Sequence, residues 1–335
     1  MADVAAAAGV SITTVSHVLN KTRPVSDELQ ERVRQAIAVT GYSTNTVARA
    51  LATQNTMLLG VVMSFVTNPF FAPLVSQIEK TARRSGYTLL LTDSHDNASD
   101  ELAQVQIMLD HRVDGVIIAP AAEDQDLALN RLAQHATPTV LIDRFGDRRF
   151  DEVGVENTKP VAELVAHLVG RGHTRIGFIS GQPGLSTTTE RLEGYRLGLR
   201  DAGLPFDRAL VRSGSSQVNP AERAVTALMR SADPPTAIVC ANNAMTIGTL
   251  RGLRMLGLDV PHDVAVVSFD EIAWGDLMAP ALTSMAQPVT AMGKLATQLL
   301  LRRIGGHGGP PERHMLAPEF VHRGSCGCPY DFAAA

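Results

Sequence analysis

The spacing of hydrophobic positions changes character from Leu58 onward. Before that point apolar residues recur three and four apart, the signature of short amphipathic helices. Asp3 to Ala8 is an Ala-rich helical run, and Gly9-Val10 is a tight break. Ser11 is a good N-cap for a second run whose Val15, Val18 and Leu19 fall on one face. Thr13, Ser16, His17 and Asn20 share the opposite face. Two short helices joined by a tight turn form a helix-turn-helix pattern, whose outward row of hydrogen-bonding side chains fits a DNA major groove. A third helix is predicted from Ser26 as N-cap, with Asp27 and Glu28 in its dipole-favoured first turn. Leu29, Val33 and Ile37 form its stripe, and Gly41 stands at C′. Asn45 can cap a further helix through Ala52. A helix this short is marginal in water, so its order is expected to depend on DNA, a second subunit or the following domain.

From Leu58 strand-length apolar runs alternate with helix-length segments. The runs are 58–64, 87–93, 115–120, 140–143 and 153–155, followed by a second set at 176–180, 237–241 and 264–269. Continuous apolar strands separated by helices indicate parallel sheets covered on both faces, hence two α/β lobes. The expected organisation is an all-α helix-turn-helix domain over residues 1–44, a hinge helix or linker over 45–56, and a two-lobed α/β domain with parallel sheets over 57–335.

Charge adds less than its net value suggests. The chain of 335 residues carries −4, but residues 1–55 hold five basic and four acidic side chains, leaving −5 for the remainder. Lys21 and Arg23 follow the second helix, where they can meet phosphates. No apolar run approaches the roughly 20 residues of a spanning helix, and no basic stretch precedes an apolar one at the start. The expected location is the cytoplasm, associated with the nucleoid, without membrane contact. Three cysteines make no disulfide framework. Cys326 and Cys328 would need two more ligands to hold zinc, with His314 or His322 as candidates, and neither a metal site nor a cofactor is expected. HExxH, GxSxG and phosphate-loop patterns are missing, so no enzymatic activity is expected.

Ligands of open parallel sheets bind outside the carboxyl ends of the strands, so the polar residues closing each strand are the informative ones. They are Asn68, Phe70 and Phe71 after the first strand, Asp143 and Arg144 after the fourth, and Arg191, Asn242, Asp270 and Gln287 in the second lobe. Aromatic faces beside carboxylates, amides and arginines suit a polyhydroxylated ligand, offering flat surface to its C–H faces and bidentate partners to its hydroxyls.

These residues occur in a wider set of motifs. Asp3-Val4-Ala5, Gly9-Val10-Ser11, Thr14-Val15-Ser16, Val18-Leu19-Asn20, Gly41-Tyr42 and Val47-Ala48-Arg49-Ala50-Leu51 come first. Asn68-Pro69-Phe70-Phe71, Arg112-Val113-Asp114-Gly115, Arg171-Gly172-His173, Pro261 to Val266, and Leu282-Thr283 with Gln287-Pro288 follow. Over nearly its whole length the chain resembles the lactose-repressor/galactose-repressor family of bacterial transcription regulators, nearest in pattern to its purine- and ribose-repressor branch. The resemblance implies a homodimeric repressor of a pseudo-palindromic operator, controlled by a small effector bound in a type I periplasmic-binding-protein fold. It implies that Ile12, Thr13 and His17 touch base edges, with Ser11, Ser16, Asn20, Lys21, Arg23, Asn45 and Ala48 completing the DNA-facing set. Leu51 matches the hinge leucine that wedges into a minor-groove step. The strand-end residues resemble the pocket of ribose-binding relatives, so a pentose-like sugar is the expected effector. A purine-type corepressor is the alternative, and a sugar-binding module without a regulatory role is another. Two positions depart from the ribose pattern: Ser213 to Asn219 lacks an aromatic, and Asn243 stands where Asp usually follows the pocket Asn. The chain starts a few residues short of the usual family beginning, and its last segment lacks the leucine heptads of a coiled-coil tetramer.

Overall fold

The computed structural model describes residues 1–20, 23–42, 55–121 and 127–329. It divides into two compact units, Met1–Thr56 and Met57–Ala335. In the first, helix α1 (Ala2–Ala8) stops at Gly9, whose φ of 61° is a left-handed conformation that glycine adopts without a Cβ penalty. The Ser11 hydroxyl accepts the Thr14 N–H at 3.0 Å, the N-cap bond expected for α2 (Ile12–Asn20). Helix α3 (Asp27–Thr40) begins after Ser26 and ends at Gly41, with φ 60°. Ser26 occupies the predicted cap position, but its hydroxyl makes no cap bond; the helix start is exposed, and water can solvate its first N–H groups. Val4, Ala5, Ala8, Val15, Val33 and Ala36 form this unit's core. Arg32 donates to the Ala8 carbonyl at 2.6 Å, tying α3 to the otherwise unsatisfied end of α1. The predicted helix over 45–52 lies outside the described residues.

The second unit holds two six-stranded sheets. One contains β1 (Leu58–Met63), β2 (Thr88–Asp93), β3 (Gly115–Ile118), β4 (Thr139–Asp143), β5 (Asp151–Val155) and β11 (Arg313–Leu316), in the order β11-β5-β4-β3-β1-β2. All its pairings are parallel. The other contains β6 (Ile176–Ser180), β7 (Val211–Ser213), β8 (Ala237–Cys240), β9 (Ala265–Phe269), β10 (Thr283–Ala286) and β12 (Glu319–Val321), in the order β12-β10-β9-β8-β6-β7. Only β12 runs antiparallel, against β10. Most of the apolar runs read from the sequence are central strands, buried on both faces as parallel sheets require; the run at 87–93 is instead the edge strand β2, which is only partly covered. The sequence pattern did not reveal β7, β10, β11 and β12, which are short and carry polar or charged residues.

Helices α4 (Phe71–Arg84), α5 (Ala98–Asp110) and α6 (Leu127–Gln134) cover the first sheet with α11 (Val289–Ile304). Helices α7 (Thr158–Gly170), α8 (Ser186–Asp201), α9 (Val218–Met229) and α10 (Asn243–Met255) cover the second. The chain therefore passes between lobes three times, at 156–157, 287–288 and 317–318. Among the described residues, no single helix is long and apolar enough to cross a membrane.

Helices α9 and α10 approach closely at Gly248, where a Cβ would lie 2.1 Å from the Val218 carbonyl oxygen. Backbone cannot yield as a flexible side chain can, so overpacking at about 1–3 kcal/mol outweighs the gain of roughly 1 kcal/mol in helix propensity. Gly248→Ala is expected to lower the urea midpoint. Gly170→Ala, whose Cβ meets nothing within 4 Å, is expected to leave it unchanged or raise it. Equal midpoints for Gly248→Ala and wild type contradict this packing.

Candidate functional site

On the helix-turn-helix unit, Val15 is fully buried beneath α2. Ser11, Ile12 and Thr13 are exposed at its start, Ile12 at 51%, and Ser16 and His17 are half-buried. An isoleucine half out of water at a helix start offers an apolar contact surface among polar neighbours. Arg23 is exposed. Lys21, Asn45, Ala48 and Leu51, together with the side chain of Asn20, lie outside the described residues.

In the second unit a cleft opens at the carboxyl ends of both sheets. It brings together Asn68, Phe70, Phe71, Asp143 and Arg144 from the first lobe with Arg191, Asn242, Asp270 and Gln287 from the second. All nine residues selected from the sequence line this one space, although Arg191 sits inside α8 and not at a strand end.

Two carboxylates dominate its electrostatics. Asp143 ends β4 and Asp270 follows β9, with φ of 70° and 73°. That left-handed region is one aspartate tolerates better than most residues. Burial raises the Asp143 carboxyl from 3.8 to about 6; Arg144 and Arg191 oppose the shift, while Asp270 and Asp96 add to it. Burial likewise raises Asp270, against the pull of Arg191 and a hydrogen bond from Gln287. Arg191, on α8, donates to Asn157 Oδ1 at 2.8 Å and to the Ala241 carbonyl at 2.7 Å. Its guanidinium lies 3.9 Å from the Phe269 ring centroid, a cation–π contact that holds the charge in a dry site.

Several of the remaining residues build the cleft as well as line it. Arg144 donates to Asp96, to the Pro120 carbonyl at 2.6 Å and to Ser64 Oγ at 3.0 Å, linking the ends of β1, β2 and β3. Asn68 Oδ1 accepts the Phe70 N–H at 2.9 Å in an Asx turn. Asn242 Oδ1 accepts the Met245 N–H at 2.8 Å and caps α10. Phe70 and Phe71 meet edge to face at 5.0 Å and belong to the core they close. Gln287 Nε2 donates to Asp270, while its buried Oε1 has no partner among the described residues, an acceptor available to a ligand.

The sequence reading missed Asp96, Ser64, Thr187 and Ser216, which also line the cleft. Asp96 follows β2, a strand the apolar pattern had found. The strand-end rule applied there would have reached it. Ser216 occupies the stretch that lacks an aromatic. Gln182, just after β6, donates to the Asp96 carbonyl at 3.2 Å and so joins the two lobes at the cleft edge.

Residues 1–45 match the model of bacterial regulatory proteins of the lacI family, and residues 165–326 match a periplasmic binding protein-like domain. The HTH-type transcriptional repressor PurR of Photobacterium profundum is 32% identical, with 96% of this chain and 97% of that protein covered. The chain belongs to the LacI family of bacterial regulatory proteins. Among solved structures, the lac repressor dimer bound to operator and the anti-inducer ONPF superposes with a TM-score of 0.86 at 26% identity, covering 97% of this chain and 98% of that one. A complex of the transcriptional regulator CelR with cellobiose superposes with a TM-score of 0.75 at 29% identity, covering 96% and 98%. This LacI-family chain is a transcriptional repressor of the LacI/PurR type with a ligand-binding domain. Repressors of the family bind operator DNA and small effectors and act as dimers.

The raised Asp143 carboxyl gives the repressor a pH signature. Between 3.8 and about 6 the folded protein holds a proton that the unfolded chain releases. Stability from this group is therefore complete below the lower value and lost as pH rises through the upper one. Wild type is expected to lose on the order of 2–3 kcal/mol relative to Asp143→Asn between pH 4 and pH 6. Urea denaturation across that range measures it, and parallel curves contradict the assignment.

Proposed function

We propose that this repressor is released from its operator by a sugar, most simply a pentose-like one, held between the lobes of its second unit. The observation that carries the reading is the lining of one cleft by strand-end residues of both sheets together with Arg191 of α8. Two phenylalanine faces lie beside buried carboxylates, an arginine and an amide acceptor. Sugar hydroxyls would donate to Asp143 and Asp270, Arg191 would donate to sugar oxygens, and Phe70 and Phe71 would cover C–H surface. The cellobiose complex of a related regulator supports a carbohydrate. The relatives named PurR keep a purine-type corepressor as the second reading, since Arg191 and Asp270 suit a purine also.

DNA would be read as a homodimer on a pseudo-palindromic site. Ile12 meets a thymine methyl, Thr13 and His17 meet base edges, and Ser11, Ser16, Asn20, Lys21 and Arg23 bind nearby. Asn45, Ala48 and Leu51 belong to the hinge, with Leu51 as the minor-groove wedge, whose cost of a few kcal/mol in unstacking is offset by new contacts. The effector acts by linkage: it favours one lobe arrangement and can shift operator affinity only by its differential affinity for the two states.

Fluorescence anisotropy with a pseudo-palindromic operator, in the presence of pentoses, hexoses, polyols or purines, tests this directly. One sugar is expected to weaken binding roughly tenfold or more, and Asp270→Asn is expected to bind operator but lose the response. A purine that strengthens binding selects the second reading, and a protein without sequence-specific binding at low salt contradicts both. Leu51→Ala is expected to lose roughly tenfold or more in operator affinity at an unchanged unfolding midpoint; unaltered affinity removes Leu51 from the wedge role.

A further inference from the structure

Far along the chain from the cleft residues, the segment after β12 folds back against α7 and brings four metal-binding side chains together. His167, from the last turns of α7, meets His322, Cys326 and Cys328, and one ligand atom from each lies within 4.8 Å of all the others. Cys326 Sγ is 3.5 Å from His322 Nε2, and Cys328 Sγ is 3.8 Å from His167 Nε2. A tetrahedral ion with bonds of about 2.3 Å to sulfur and about 2.0–2.1 Å to nitrogen sets its sulfur and nitrogen ligands roughly 3.5 Å apart. The two pairs stand near that separation. We propose that His167, His322, Cys326 and Cys328 form a zinc site that staples the C-terminal segment to α7.

The surroundings are built for a fixed site. Gly327 takes a φ of 83°, a turn open to glycine, and sets both cysteines on the same cluster. Its carbonyl accepts from Arg171 Nη2 at 2.9 Å, which fastens the loop to the end of α7. Cys326 is fully buried and receives a hydrogen bond from Thr283 Oγ1 at 3.3 Å, while His322 is exposed and Cys328 half-buried. One flank is thus rigid, and the other gives an ion access. Two thiolates and two neutral imidazoles around a divalent cation give a neutral centre, the composition of a closed structural zinc site. Of the two histidines weighed from the sequence, His322 joins the cluster and His314 does not; His314 pairs with Glu312 at 2.9 Å.

The site sits about ten residues, or roughly 15 Å of helix rise, from Asn157, the partner of Arg191 at the other end of α7. The proposed metal site does not rest on the sugar reading of the cleft. The test uses full-length, tag-free protein, reduced, stripped with a chelator and titrated with Co²⁺. One equivalent per chain is expected to give the visible bands of tetrahedral cobalt and a thiolate charge-transfer band, both removed by Zn²⁺, with Tm raised by several degrees. Cys328→Ser and His167→Gln are expected to lose or shift the bands and the Tm gain while keeping native circular dichroism. Cys326→Ser serves as a third variant where it folds. A reduced, folded wild type without tetrahedral bands overturns the site, as do bands that survive in a Cys326→Ser, Cys328→Ser double variant.

Discussion

Two carboxylates drawn out of water at the ends of different sheets set the terms for the rest of the ligand-binding unit. Asp143 belongs to one lobe and Asp270 to the other, and each is buried. A buried charge is tolerated only where opposite charge or hydrogen bonds compensate it. Arg191 acts on both, but two of its N–H groups already serve Asn157 and Ala241. Arg144 is largely occupied in joining Asp96, Pro120 and Ser64. Compensation is therefore incomplete, which is why Asp143 titrates near 6. On the proposed reading, the donors still lacking are those of the ligand, so binding completes a network that the protein alone leaves short.

The same residues join the cleft to the chain crossings. Asn157 lies on the first passage between lobes and accepts from Arg191; Gln287 lies on the second and donates to Asp270. A change in what Arg191 and Asp270 bind thus acts where the chain crosses between the lobes. A ligand that prefers one lobe arrangement has a physical route to the other. Differential affinity, not distance, is what the regulatory coupling requires.

Much of this was legible in the residues because long parallel strands must be apolar on both faces and ligands gather at their carboxyl ends. That rule selected Asp143 and Asp270 without any structure, whereas Arg191 reaches the cleft from inside α8. It did not show that Asn68 and Asn242 spend their oxygens on a turn and a helix cap. It also passed over Asp96, which closes a strand already recognised. The edge strands β11 and β12 escaped because Arg313, His314 and Glu319 interrupt the apolar run, and β10 escaped because Thr283 and Ser284 bury hydroxyls satisfied only in the fold. Cys326 and Cys328 were visible as a pair. Their partner His167 lies more than 150 residues earlier, a separation local spacing cannot read.

On the proposed reading the two buried carboxylates are the acceptors for the effector's donors. Calorimetric titration with the effector at pH 6, repeated in buffers of different ionisation enthalpy, tests it most directly. Donors that stabilise the ionised carboxylates lower their pKa values. Net proton release on binding is expected in wild type, much reduced in Asp143→Asn. Proton uptake, or binding with no proton exchange near pH 6, would contradict it.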